Sequence, residues 1–186
     1  HPKKKTSLAV LSGSVVTSTL ENDYSLNSLD SIIFENSVFH STRSTSPEGA
    51  FVMEVETPPD KRDLVRLKDK YGRENRGYES VAEMSRCLAD YEYCDFHDFD
   101  AGEGKTLLKT IGDCAVKVNR NRSYKDLYRK IKDRENFLLC MLDNKLVDSE
   151  NNLISDVGNI VLGKDLLKFS HDQVIVDNCF TSLMIY

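Results

Sequence analysis

The feature that most constrains the fold is a strand, tight turn, strand pattern that occurs near both ends of the chain. Leu8-Ala-Val-Leu-Ser-Gly-Ser-Val15 stands beside Leu139-Cys-Met-Leu-Asp-Asn-Lys-Leu146, with Gly13 and Asn144 in the corresponding turn positions. Farther on, Asp30-Ser-Ile-Ile-Phe34 answers Gly158-Asn-Ile-Val-Leu162, the later copy being shorter by three residues up to that point. Phe51-Val-Met-Glu-Val55 and Leu183-Met-Ile-Tyr186 then close each half with an apolar strand. Such self-similarity reads as one β architecture used twice, the second copy degenerate.

The surrounding texture agrees. Strands are expected at Ser7 to Leu11, Ser14 to Leu20, Ser31 to Phe34, Val38 to Ser41 and Ala50 to Glu56, short runs of Val, Ile, Phe, Thr and Ser separated by Gly, Asn, Asp and Pro. That is the pattern of an antiparallel sandwich or barrel. After Thr57-Pro58-Pro59 the chain becomes dense in charge from Asp63 to Lys70, and Val81, Met84 and Leu88 recur at helical spacing, predicting a helix over Ser80 to Ala89. A pair of strands is expected within Thr106 to Val118. Tyr124 to Asp133 reads as a helix, with Leu127 and Ile131 four apart and Ser123 placed as its N-cap.

Composition removes several function classes. A length of 186 residues can bury a real core, and 40% hydrophobic with 30% charged residues is ordinary for a soluble globular chain. A net charge of −5 and a pI near 5.4 argue against wrapping nucleic acid, which needs a basic face. Lys3-Lys4-Lys5 and the stretch from Arg120 to Lys132 are local basic patches, read chiefly as solvated faces. The five cysteines, Cys87, Cys94, Cys114, Cys140 and Cys179, are odd in number and lack a Cys-x-x-Cys pair, as expected of reduced thiols in the cytoplasm. No apolar run approaches the roughly 20 residues of a membrane helix, so no membrane partner is expected. The chain opens His1-Pro2-Lys3 without an initiator methionine, which reads as a piece of a longer protein.

Three stretches carry a family resemblance. His1 to Gly13 (HPKKKTSLAVLSG) resembles the first cupin motif, Leu29 to His40 (LDSIIFENSVFH) resembles the second, and Val52 to Glu79 (VMEVETPPDKRDLVRLKDKYGRENRGYE) is the most specific signal. Within it, Asp63 to Arg73 is similar to the segment that follows the barrel in mannose-6-phosphate isomerase-like cupins. The resemblance implies an all-β fold, a double-stranded β-helix or cupin jelly roll, in two cupin-like barrels with a few short helices between. The expected organisation is a first barrel with its strap over residues 1–79, a helical or loop connector over 80–105, and a degenerate second barrel over 106–186.

The same resemblance implies a function. It points to a sugar-phosphate or nucleotide-sugar isomerase or epimerase of surface-polysaccharide biosynthesis, assisted by a divalent metal (Zn, Mn, Fe or Ni) that polarises a carbonyl oxygen. By position, His1 and His40 would hold the metal, and Lys3, Thr6, His40 and Arg43 would meet the substrate. The chain departs from the motif where Thr6 stands in place of the family's glutamate and Lys3 in place of its second histidine. The equivalents of His1 and His40 in the second half are Lys132 and Lys168, so no metal is expected there. The alternative is a sugar- or sugar-nucleotide-binding module that has lost its metal, and a third possibility is a second barrel that serves only assembly. A homodimer is expected, because pairing covers exposed sheet edges.

Other residues weigh less. Arg43 suits bidentate phosphate contact or a solvated loop equally, and Arg66 and Arg73 read as part of a strap over a barrel edge. Ala101-Gly-Glu-Gly-Lys-Thr106 lacks the first glycine of a phosphate loop, since Phe99 stands there. Asp95, His97, Asp98 and Asp100 read as a solvated acidic loop before a metal cluster. The four histidines lie far apart and no nucleophile turn is evident, so hydrolase chemistry is not suggested.

Overall fold

Six strands built from the short β-branched runs open the chain: β1 (Lys5–Ser12), β2 (Ser14–Ser18), β3 (Asp23–Asn27), β4 (Ser31–Phe34), β5 (Ser41–Ser44) and β6 (Phe51–Thr57). The computed structural model describes residues 1–60, 62–68, 72–74 and 106–186. The six strands form two antiparallel sheets, β4-β1-β6 and β3-β2-β5, and the chain crosses between them at the β1–β2 turn and again after β3, β4 and β5. That crossing order is a jelly roll.

The second half repeats it. A hairpin of β7 (Thr106–Ile111) and β8 (Cys114–Asn121) comes first, followed by helix α1 (Tyr124–Ile131). Then come β9 (Leu138–Met141), β10 (Leu146–Asp148), β11 (Leu153–Ser155), β12 (Ile160–Leu162), the one-turn helix α2 (Gly163–Leu166), β13 (Val174–Ile175) and β14 (Phe180–Ile185). The sheets are β12-β9-β14-β8-β7 and β11-β10-β13. With β9 to β14 set against β1 to β6, the order β12-β9-β14 repeats β4-β1-β6, and β11-β10-β13 repeats β3-β2-β5. The repeat read from the sequence is therefore present in the strand pairing. Its turns agree too: Gly13 and Asn144 both take left-handed backbone, at φ 76° and φ 57°, a conformation that glycine and asparagine enter most easily.

The expected all-β fold is what the chain adopts, with two short helices among the described residues. Ser123 caps α1 by accepting the Asp126 amide at 3.3 Å, and Leu127 and Ile131 bury the face predicted for them. β3 escaped the sequence reading because Asp-Tyr-Ser-Leu-Asn is polar, turn-like and largely exposed. The strand expected at Val38 to Ser41 begins only at Ser41; Val38, Phe39 and His40 are irregular backbone turned toward a cavity. The helix expected over Ser80 to Ala89, the 80–105 connector, the cluster around Asp95 and His97, and most of the Ala101 to Thr106 stretch lie outside the described residues. Among the described residues no helix is long and apolar enough to cross a membrane.

Sheet β4-β1-β6 packs face to face against the five-stranded sheet. Ala9 and Leu11 of β1, with Met53 and Val55 of β6, meet Val116 and Val118 of β8, Leu138 and Cys140 of β9, and Leu183 and Ile185 of β14. Burial on this seam pushes the Cys140 thiol up to about 12, so it stays protonated. A second core fills the far half, where Leu127 and Ile131 of α1 pack against Leu139, Met141, Leu146, Phe180 and Met184. The seam continues at Gly158, whose φ is 78° and where an added Cβ would lie 2.6 Å from Thr57 Cγ2. Gly158→Ala is expected to lower the denaturation midpoint by about 2 kcal/mol or more of stability through clash and backbone strain. Adding Thr57→Ala should restore only the part due to the clash; full additivity of the two losses in denaturant titrations would refute the contact between halves.

Candidate functional site

The alternation Val52-Met53-Glu54-Val55-Glu56-Thr57 splits β6 between two environments. Met53 and Val55 join the seam, and Glu54 and Glu56 point the other way, into the first-half barrel. Register places Glu56 opposite Thr6 and Glu54 opposite Leu8 of β1, so these four side chains share the inward face. The barrel encloses a half-open cavity of about 520 Å³. Its walls come from Leu8 and Glu54 on one sheet and from Ser18, Ser41 and Thr42 on the other, with His1 and His40 between them. Leu64 to Lys68 and Arg73, in the stretch read as a strap, also line it.

Asp63, at the root of that strap, fixes the segment leading into β1. Its Oδ2 accepts the amides of Lys3 and Lys4 at 2.9 and 2.8 Å, and its carbonyl takes Nδ1 of His1. The carbonyl of His1 in turn accepts the Ser37 amide at 2.7 Å. Pinned in this way, His1 brings Nε2 within 2.7 Å of Glu56 Oε1. The Nζ of Lys4 lies 2.6 Å from the other oxygen of Glu56, and the Lys4 side chain is only 1% exposed. Both ring nitrogens of His1 thus face acceptors, the arrangement of a doubly protonated imidazolium. Glu56 has a cationic donor on each oxygen.

Glu54 differs from its neighbour. Although Glu54 is exposed, partial loss of hydration at the cavity raises its pKa above the ordinary 4.5, the negative charge of Glu56 raises it further, and Lys4 partly opposes both. His40 stacks on Phe34 with ring centroids 4.3 Å apart, and its centroid is 6.4 Å from that of His1. Its Nδ1 donates to the Val38 carbonyl at 3.2 Å, and burial pushes its pKa below 6.5, leaving a neutral imidazole with a lone pair on Nε2.

The structure brings His1 and His40 into one cavity and leaves the other expected contacts outside its lining. Lys3 turns to a separate cleft beside Lys5, Thr57 and Asp156. Thr6 is buried on the inward face between Phe34 and Glu56, behind the cavity wall. Arg43 pairs with Val16 and is exposed on the face of β5 opposite Thr42, which does line the cavity. A one-residue step along β5 separates the two, and Arg43 lies outside the cavity lining. Sequence reading missed Lys4, Glu54, Glu56 and Asp63. The available signal was the inverted alternation of β6, whose acidic positions recur with period two in an otherwise apolar strand.

Whether a metal suits these residues depends on Lys4. His1, Glu54 and Glu56 place one donor each within 4.8 Å of one another, and imidazole with carboxylates is a chemically suitable set for Zn, Mn, Fe or Ni. A buried ammonium already sits on Glu56, however. Two unit like charges about 4 Å apart at an effective dielectric of about 20 repel by about 4 kcal/mol, and a divalent ion doubles that. The described residues, with Lys4 charged, do not fit a resident divalent metal. In the second half Lys132 and Lys168 pair with Asp133 and Asp165 at the surface, and the barrel interior is filled by the apolar core.

No family model matches the chain. No curated protein sequence matches it either. Matches among solved structures include the protein Ylba from E. coli, at 10% identity and TM-score 0.30, covering 99% of this chain and 63% of that one. A cupin 2 conserved barrel domain protein from Leptotrichia buccalis matches at 12% identity and TM-score 0.29, covering 97% and 72%. Salicylate 1,2-dioxygenase from Pseudoaminobacter salicylatoxidans matches at 9% and 0.27, covering 98% and 64%. The chain therefore spans under two thirds of the length of Ylba and of the dioxygenase. The jelly-roll assignment rests on this chain's own strand pairing.

The neutral state of His40 has a consequence for stability. Its folded pKa lies below the unfolded 6.5, so the unfolded chain binds the proton more readily. The His40 contribution is intact above 6.5 and is lost as pH falls through the lower folded value. Between about pH 7 and about pH 5, the wild type should lose more stability in denaturant titrations than His40→Gln. Equal losses would mean that His40 is not desolvated.

Proposed function

We propose that the first-half barrel binds a sugar phosphate or nucleotide sugar and interconverts its isomers or epimers by carboxylate acid–base chemistry, serving surface-polysaccharide synthesis. One observation carries this reading: the cavity is polarised. Its lining takes Glu54 and His1 from β6 and the segment entering β1, and Arg66, Lys68 and Arg73 from the strap. A ligand with hydroxyl or carbonyl groups at one end and phosphate at the other matches that gradient.

Glu54 is the group suited to move the proton. Its carboxylate takes a proton from the carbon beside the carbonyl and returns it to the adjacent carbonyl carbon on the same face of an enediol, while the hydroxyl proton passes between the two oxygens. An epimerisation needs in addition a second acid on the opposite face. Either reaction is redox-neutral and needs no co-reactant. A raised pKa brings the base closer to working pH, which favours proton transfer in both directions.

Glu54→Gln should lower turnover by about 10²- to 10⁴-fold and leave ligand affinity within a few-fold. The wild-type rate should fall on the acid side with an apparent pKa above 4.5, a limb the variant lacks. Arg66→Ala should weaken binding of a hexose phosphate by about tenfold or more, measured by calorimetry, with little effect on the unphosphorylated sugar. If no sugar phosphate or nucleotide sugar raises the melting temperature, the assignment fails, because a ligand selective for the folded state must stabilise it. A binding module without turnover is the second reading, favoured by Glu56 having both oxygens engaged. In that case wild type and Glu54→Gln bind alike and neither converts the ligand.

A further inference from the structure

We propose that Lys4 is the resident cation of the carboxylate cluster beside the first-half cavity: it positions Glu56 and keeps divalent metal away from a cluster that would otherwise bind it. Three observations support this, and none depends on the identity of the sugar. The donor geometry is present, since His1, Glu54 and Glu56 offer ligand atoms within 4.8 Å of one another. Lys4 is almost wholly buried, with its ammonium 2.6 Å from Glu56. Burying a lysine is costly unless its charge is compensated, and Glu56 compensates it. Lys4 is also held from its own backbone, because its amide donates to Asp63 Oδ2 at 2.8 Å. Strap, entering segment and β6 are thereby locked together around a fixed positive charge.

The two kinds of cation differ in what they allow. A divalent ion draws carboxylates and imidazole into its own coordination sphere. An ammonium takes one oxygen of Glu56, leaves the other to His1, and leaves Glu54 to the cavity. Lys4 therefore acts as a positioning residue, working through Glu56 and outside the cavity lining.

The test is divalent-ion binding to the intact chain, measured by calorimetry with Mn²⁺ and Zn²⁺ on wild type, Glu56→Gln, Lys4→Met and Lys4→Met/Glu56→Gln. Lys4→Met keeps an unbranched buried chain and removes the charge. It should bind one equivalent at least about 100-fold more tightly than wild type, and the double variant should lose that gain. Wild type and Glu56→Gln should bind ions equally weakly. A tight, stoichiometric site in the wild type that Glu56→Gln abolishes would overturn the proposal, and so would a folded Lys4→Met that gains no affinity. Should Lys4→Met not fold, the comparison of wild type with Glu56→Gln still decides. Sugar binding by the wild type is a separate measurement, so failure here and failure of the sugar assignment are distinguishable.

Discussion

The burial of β1 on both faces is the constraint on which the rest of the molecule depends. Every residue from Thr6 to Leu11 is buried, because the strand is central in its own sheet and that sheet lies between two different interiors. Ala9 and Leu11 belong to the seam with the second half. Thr6 and Leu8 belong to the first barrel, opposite Glu56 and Glu54. A slip of one residue would exchange the two sets and drive polar groups into the seam. The register that stabilises the contact between halves is thus the register that aims the carboxylates.

One pairing scheme gives two interiors with different capacities. In the second half the inward positions of β9 and β14 are Leu139, Met141, Phe180 and Met184, and α1 adds Leu127 and Ile131, so the volume is filled with hydrocarbon. In the first half the inward positions include Glu54 and Glu56, and the interior keeps a cavity that the strap residues also line. The five-stranded sheet of the filled half provides the apolar backing that holds β1 and β6 rigid. Division of labour between a packed copy and an open copy is the physical sense of the repeat.

Much of the fold was legible in the sequence because it rests on local signals. Turn residues at Gly13 and Asn144, the Ser123 cap and the four-residue spacing of Leu127 and Ile131 each specify a conformation over a few residues. β3 was not legible, since its pairing with β2 is supplied by tertiary context and not by Asp23-Tyr24-Ser25-Leu26-Asn27 itself. The site was less legible than the fold. Family position led to His1 and His40, which the barrel does bring together, and also to Arg43 and Lys3, whose side chains face elsewhere. Strand direction is decided by register, and register is a long-range property that no short motif encodes.

Glu54 and Glu56 show how far apart two like side chains can be set by their neighbours. They are two residues apart on one strand and face one way. Glu56 is held between Lys4 and His1, with a cationic donor on each oxygen, so its charge is compensated and its geometry fixed. Glu54 lines the cavity and, though exposed, loses part of its hydration there and feels the negative charge of Glu56, so its proton is bound more tightly than an ordinary carboxylate's. Separating the environments of paired carboxylates is a general way for one fold to obtain a fixed charge and a mobile proton from the same residue type. Here the separation depends on Asp63, because its contacts to the Lys3 and Lys4 amides and to the His1 ring keep both cations on the oxygens of Glu56.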